Sequence, residues 1–451
     1  MSYDSWMNLH QPSPTDLTIT PAELVAVVPT PPPQPRLRCA EREHLIPALR
    51  LEDLLTADHQ ARVVWQFVQG VDLSPLYARI RAVEGGPGRP AIDPRILLAL
   101  WLYATLEGVG SARALAYLCT EHHAFRWLCG GVSVNYHTLA DFRVAHPDFL
   151  DELLTHSVAL LREQDLVDLN RVAQDGMRVR ASAGAASFRR RSTLEECLHE
   201  AQQQVQRLRS EPEGDPGAGN RQQAQAQQRA AREREERLRQ ALERLPELEA
   251  RKKKDEKAKA RASTTDPEAT VMKMADGGFR PAYNVQFSTD TATQVIVGVE
   301  VLTSGSDQGQ LMPMVEQLQE RFAQTPGAML GDGGYASHED IEAVSGAGEG
   351  CTVYAPVPKP KDATRERHVP LPSDSPEVAA WRQRMATEQA KEIYKERAAT
   401  AECVNAQSRN RGLRQFLVRG LAKVKMVALW YAVAHNLLRG VSLRAALVAQ
   451  E

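Results

Sequence analysis

The sequence predicts an α/β protein in which an all-helical region precedes a mixed strand-and-helix unit interrupted by a helical hairpin. Three observations carry this. Apolar residues in the first third fit helices, most densely in Pro94–Leu106 with Ile96, Leu97, Leu98, Leu100, Trp101 and Leu102. The pattern then changes at Leu169–Asp175, which reads as a strand. Beyond it lie two long stretches rich in Gln, Glu, Leu and Arg, Thr193–Ser210 and Arg221–Ala260, before strand patterns resume at Ala282.

The elements follow in order. Residues 1–40 are Pro-rich, as in Pro29–Pro35, and are expected to be disordered. Helices are expected from Leu49–Leu55 through Pro94–Leu106, Ser111–Leu118, Glu121–Leu128, Thr138–Ala145 and Pro147–Gln164, with Gly85–Pro90 as a loop. Short helices joined by tight turns suit DNA binding, and equally suit any small bundle. In the inserted hairpin the apolar positions Leu194, Leu198, Val205 and Leu208, then Leu238, Leu242, Leu245 and Leu248, recur at mostly three- to four-residue spacing. The Pro/Gly-rich segment 211–220 reads as a turn and is expected to be its exposed, mobile tip.

Ala282–Phe287 and Gln294–Leu302 form a β-hairpin about Thr289–Ala292. Ser306-Asp307 caps a helix running to Phe322. Ala328–Gly331 is a strand, Ser337–Asp340 starts a helix, and Cys351–Ala355 is a further strand. A polar linker runs from Pro356 to Ser375, and Pro376–Val448 is helical, with Met426–Leu438 apolar enough to be buried. Three strands joined antiparallel and followed by crossover helices make an α/β unit. Ribonuclease-H-like nucleases and integrases have this order, with the first and fourth strands adjacent. The boundaries are 1–40 for the tail, 41–165 for the helical N-terminal, DNA-binding region, 166–440 for the ribonuclease-H-like unit with 192–262 as its hairpin insertion, and 441–451 for a C-terminal tail.

Composition narrows the function. No apolar run approaches a membrane span, and the N-terminus has no basic-then-apolar leader. Six scattered cysteines without a CxxC pair argue against zinc and disulfides and fit a reducing cytoplasm. Net charge is −2, yet between Lys391 and Lys425 cations far outnumber Glu392, Glu396 and Glu402. Such a local field can bind phosphate whatever the overall sum, although most charge runs are solvated helix faces.

Three acids stand out against this background. Asp175 and Asp332 each end an apolar strand at a turn, and Glu402 lies in the basic helical segment. Magnesium-type ions need hard oxygen ligands. Two ions about 4 Å apart can activate an attacking oxygen and stabilise a leaving one. Carboxylates converging on adjacent strand ends would make that site. Arg409, seven residues after Glu402, returns near its helix face. His338, His435 and Asn436 read as packing or capping residues, and Trp101 and Trp430 as core.

With these residues in hand, the chain resembles bacterial insertion-sequence transposases of the Asp-Asp-Glu type. The resemblance rests on Val172-Ala173-Gln174-Asp175-Gly176, on Ser263–Pro267 with Met272–Met274 and Gly278–Gln286, and on Tyr394-x2-Arg397-x4-Glu402-x6-Arg409. Gln174 stands where an apolar residue is usual and Met177 where Thr is usual. Cys403 and Asn405 replace residues often Pro and aromatic, and Arg409 replaces Lys. The resemblance implies Asp175, Asp332 and Glu402 as catalytic and metal-holding groups for two Mg²⁺ or Mn²⁺ ions. It implies Tyr394, Arg397, Arg409, Arg411 and Arg414 as DNA contacts. It also implies element ends and target DNA as partners, a homodimer or higher oligomer on DNA, and a bacterial cytoplasmic, nucleoid-associated location. A competing reading is a DNA-binding protein descended from such an enzyme and weakened in catalysis.

Overall fold

The structure, a computed structural model, describes residues 50–82, 90–210, 218–346, 350–360 and 364–449. The Pro-rich tail, nearly all of the Gly85–Pro90 loop and most of the hairpin tip lie outside the described residues.

A 3₁₀ turn at Leu51–Leu54 leads into seven helices. They are α1 (Gln60–Gln69), α2 (Ser74–Tyr77), α3 (Pro94–Leu106), α4 (Ala112–Glu121), α5 (His123–Cys129), α6 (Tyr136–Ala145) and α7 (Pro147–Glu163). Local chemistry sets their ends. Asp93 caps α3 by accepting from the Arg95 amide, with Pro94 in the first turn, and Ser111 and Asn135 cap α4 and α6. Gly130 closes α5 in the left-handed region at φ 58°. Nearly every residue of α3 is buried, because it packs against α1, α5, α6 and the last helix at once.

The mixed sheet begins with β1 (Arg171–Arg180). A short pair, β2 (Phe188–Arg189) and β3 (Ala262–Ser263), forms the root of the hairpin. The hairpin helices are α8 (Arg191–Ser210) and α9 (Ala218–Ala250). Leu194, Ala201, Leu238, Ala241 and Leu245 give it a core of its own. The second helix ends at Ala250, short of the expected Ala260, and a 3₁₀ segment at Lys254–Lys259 follows.

Then come β4 (Thr270–Lys273), β5 (Phe279–Asp290), β6 (Ile296–Leu302), α10 (Leu311–Phe322), β7 (Ala328–Leu330), α11 (His338–Gly346) and β8 (Thr352–Tyr354). β5 takes β1 on one side and both β4 and β6 on the other, all antiparallel. β1, β7 and β8 run parallel in that order. The first long strand is therefore the neighbour of the strand that follows α10, as the element order requires. One expectation is corrected: α10 starts at Leu311 and has no side-chain cap, so Ser306 and Asp307 do not cap it. Asp307 turns inward instead and accepts hydrogen bonds from Asn284 and Gln286 on β5.

The C-terminal part comprises α12 (Pro376–Arg384), α13 (Glu388–Arg397), a π-helical turn (Ala398–Glu402), α14 (Cys403–Asn410) and α15 (Leu421–Val448). α15 is buried on all sides from Met426 to Leu437 because α7, α3 and β6 enclose it. Trp101 and Trp430 are buried, and their indole N–H groups donate to the Leu139 and Arg143 carbonyls. Asn436 accepts from the Ile296 amide and donates to its carbonyl, which ties α15 to β6. The α14–α15 connection touches the turn after α3: a Cβ on Gly412 (φ 94°) would lie 3.2 Å from the Gly108 carbonyl oxygen. A single apolar core links the N-terminal helices, the sheet and α15. No helix among the described residues is long and apolar enough to cross a membrane.

Candidate active site

The sheet register places the first two acids. Ala173 of β1 pairs with Leu330 of β7 in parallel. Side chains alternate along a strand, so residues two positions on share a face. Asp175 and Asp332 are each two positions beyond that pair; Asp332 lies just past the end of β7, whereas Asp175 sits mid-strand, because β1 runs on to Arg180 paired with β5 and does not end in the expected turn. Below them Ala173, Ala328 and Leu330 make a small apolar patch that packs against Ala401. Glu402 is the next residue, so the patch that seats the π turn also delivers the third acid. A second tie holds the segment there: Glu396 pairs with Arg171 at 2.9 Å and accepts from Thr291 at 2.8 Å.

Arg397 stands in the middle. Its Nη1 donates to Glu402 Oε1 at 2.7 Å, and its Nη2 lies 3.2 Å from Asp175 Oδ1 and 4.0 Å from Asp332 Oδ2. In an α-helix, residues five apart differ by about 140° in direction. The wider i→i+5 turn at Ala398–Glu402 brings Arg397 and Glu402 back to one side. Asn405 donates to Asp175 Oδ2 at 2.8 Å from α14.

The three carboxylates differ in exposure. The Asp175 side chain is 16% exposed, against 41% for Asp332 and 53% for Glu402. Burial pushes the Asp175 carboxyl above the usual aspartate range, against the opposing pull of Arg397 and Asn405. Burial works against the Arg397 charge, but Asp175 and its other neighbours outweigh it and raise the pKa. Tyr394, half-buried beside Arg397, has its phenol pushed up chiefly by burial.

Two protein-family models match the chain: a transposase domain over residues 49–145 and a transposase DDE domain over residues 347–440. Both matches support an insertion-sequence transposase of the Asp-Asp-Glu type. No curated protein and no solved structure matches the transposase.

In this transposase the DDE-domain match contains Glu402, Tyr394 and Arg397, whereas Asp175 and Asp332 lie outside both matched segments. Of the five expected DNA contacts, Tyr394 and Arg397 adjoin the acids. Arg397 is only 8% exposed and is committed to carboxylates. Arg409 and Arg414 are exposed on α14 and the segment after it, joined by Arg414 Nε donating to the Arg409 carbonyl at 3.0 Å. Arg411 is half-buried, and its carbonyl accepts from Tyr431. Among the described residues none of these three contacts Asp175, Asp332 or Glu402. His435 and Asn436 serve packing, as expected.

Sequence reasoning missed a polar layer beside the acids. Gln174 donates to Gln286 and to the Gln310 carbonyl, and the Tyr335 hydroxyl also donates to Gln286. Gln286 and Asn284 donate to Asp307. The polar residue at 174, where an apolar one is usual, was the available signal. Asp266, singled out by its motif, is structural: it accepts from the Tyr283 hydroxyl and the Gly420 amide at the start of α15.

Among the described residues no three Asp, Glu, His or Cys groups surround one point closely enough to hold an ion as they stand. The space between the three acids is taken by the Arg397 guanidinium. One positive charge there faces three carboxylates. Hard oxygens with excess negative charge fit a divalent cation in its place.

Proposed function

We propose that the transposase cuts and joins DNA with two Mg²⁺ or Mn²⁺ ions held by Asp175, Asp332 and Glu402. The observation that carries this reading is that one guanidinium lies within 4.0 Å of all three carboxylates. We read the sheet as ribonuclease-H-like over 166–440, with the hairpin of 192–262 inserted, and residues 41–165 as a DNA-binding region.

Bound divalent ions would lower the pKa of an attacking hydroxyl and neutralise charge on a leaving oxygen. The chain's own residues do the rest. Asp175 holds position from the middle of β1, Asp332 from just past the end of β7, and Glu402 reaches in from the helical side on its π turn. Asn405 orients Asp175. Once the carboxylates have other partners, Arg397 is free to turn its planar fork to a phosphate. Arg409, Arg411 and Arg414 carry the backbone of the DNA along the α14–α15 connection, and Tyr394 packs against a sugar or base. Water attack at an element end frees a 3′-hydroxyl, which then attacks target DNA in a second in-line displacement. Assembly as a homodimer or higher oligomer on element ends, and a nucleoid location, accompany this reading.

The deciding experiment is magnesium-dependent cleavage and strand transfer on DNA carrying the element ends. Asp175→Ala, Asp332→Ala and Glu402→Ala are each expected to abolish cleavage while DNA binding persists. Binding lost in step with cleavage would overturn the assignment. One observation favours a second reading, a DNA-binding protein weakened in catalysis: Arg397 already neutralises part of the acidic charge. Wild-type protein that binds element ends but yields no cut product would favour it.

A further inference from the structure

Asp307 lies in the connection between β6 and α10, and the reading above gives it no role. Its side chain is 13% exposed. Oδ1 accepts from Asn284 Nδ2 at 2.6 Å and Gln286 Nε2 at 2.7 Å. Oδ2 accepts no hydrogen bond from the described residues, and its nearest cation, Arg178 Nη2, is 3.8 Å away. The Arg178 Nη2 group donates instead to the Gly305 carbonyl at 2.6 Å.

Two glycines locate this carboxylate relative to the site. A Cβ on Gly334 would lie 2.8 Å from Asp332 Oδ1 and 3.5 Å from Asp307 Oδ2. The two carboxylates therefore face each other across a residue with no side chain. A Cβ on Gly176, the residue after Asp175, would collide with Asp307 Oδ1 and would lie 2.5 Å from Gln286 Nε2. The same gap holds an independent sign of a ligand. Asn284 is 1% exposed, and its Oδ1, 2.8 Å from where that Cβ would be, has no hydrogen-bond partner. A buried oxygen acceptor left bare costs free energy unless a cation or water meets it. Asp307 Oδ2 and Asn284 Oδ1 are two hard oxygens without donors, at the edge of the acidic site.

Resting on the metal-dependent reading above, we propose that Asp307 is a fourth acidic residue of the site, sharing the divalent ion held on the Asp332 side. Gly334 keeps the path between the two carboxylates open. Gln286 and Asn284 hold Oδ1, which turns Oδ2 outward. A purely structural Asp307 would serve only to accept those two amide bonds, and an asparagine oxygen can accept them as well.

The test is Mn²⁺ binding to the full-length protein, followed by the electron spin resonance of free Mn²⁺, with metal-free melting in parallel. Asp307→Asn is expected to weaken Mn²⁺ binding by about tenfold or more while leaving metal-free melting unchanged. Wild-type Mn²⁺ affinity in Asp307→Asn overturns the proposal. Asp175→Asn is the control for the underlying reading: if it too binds Mn²⁺ like wild type, the three-acid site itself fails. Should Asp307→Asn not fold, wild-type protein loaded with Fe²⁺ and treated with ascorbate and peroxide gives a second readout. Backbone cuts are expected near residues 305–309 as well as near 175 and 332. Cuts at the latter two without any at 305–309 would overturn the proposal.

Discussion

Arg397 Nη2 lies 3.2 Å from Asp175 Oδ1, joining the end of α13 to the middle of β1 across more than two hundred residues of chain. Asp175 is the most buried of the three acids, so this pair is screened least by solvent. Removing the guanidinium leaves a buried carboxylate with Asn405 as its remaining side-chain donor. Arg397→Gln is expected to lower metal-free stability by about 2 kcal/mol. Added Mg²⁺ should then raise the melting temperature of the variant more than that of wild type, because the ions no longer compete with a resident cation. Equal Mg²⁺ shifts in the two proteins would contradict this account of the site.

Gly334→Ala would place a methyl group 2.8 Å from Asp332 Oδ1, which accepts from the Gly334 amide at 2.7 Å. The carboxylate must move, and misplacement by about 1 Å at a reacting centre costs on the order of 100-fold in rate. Residue 334 is exposed, so folding is spared. Cleavage rates and melting curves measured together check this; a variant that cuts at the wild-type rate refutes it.

His435 predicts a pH dependence far from the acids. Burial pushes its imidazole down to about 4 from an ordinary 6.5, and its Nε2 meets the Gln294 carbonyl at 2.8 Å. The unfolded chain therefore binds the extra proton first as pH falls. The stability from a neutral His435 is complete above pH 6.5 and is lost as pH drops towards about 4, by up to about 3 kcal/mol. Denaturant unfolding of wild type and His435→Gln across this window should differ in slope. Parallel profiles would show that His435 does not titrate there.

Leu245→Ala tests the independence of the hairpin. Leu245 is fully buried, but in the separate hairpin core. The loss, about 2–4 kcal/mol for a buried leucine, should open α8 and α9 without unfolding the sheet. Limited proteolysis should then cut within α8 and α9 while the main melting transition stays in place. A lowered main transition would mean that hairpin and sheet unfold together.

Asn436→Ala removes both hydrogen bonds to Ile296, at 2.8 and 2.7 Å, and strands a buried amide and carbonyl on β6. A loss of about 2–3 kcal/mol is expected in urea unfolding. A change within error of zero would show that water replaces the asparagine.

Much was legible because it is local. Helix starts expected at Ser111, Thr138 and Pro376 fall within two residues of the observed ones, where Ser111, Asn135 and Ser375 satisfy nearby amides. The apolar stretch of α3, the hairpin periodicity and the strand ending before Asp332 were visible for the same reason, whereas the turn expected after Asp175 is continuous strand because β5 pairs with β1 as far as Arg180. The role of Asp307 was not legible, because a Ser-Asp pair before an apolar run looks like a cap. Only contacts from β5, some twenty residues earlier, turn it inward.

The sequence by itself determined the kinds of element, their order and the three acids, because periodicity, capping and residue chemistry act over a few residues. The tertiary structure alone decided that these acids meet. Parallel pairing of β1 with β7 aligns Asp175 with Asp332. The extra residue of the π turn rotates Glu402 to the side of Arg397. Strand register and a one-residue shift in helical phase depend on what packs against the element, here Ala401 on Ala173 and Leu330.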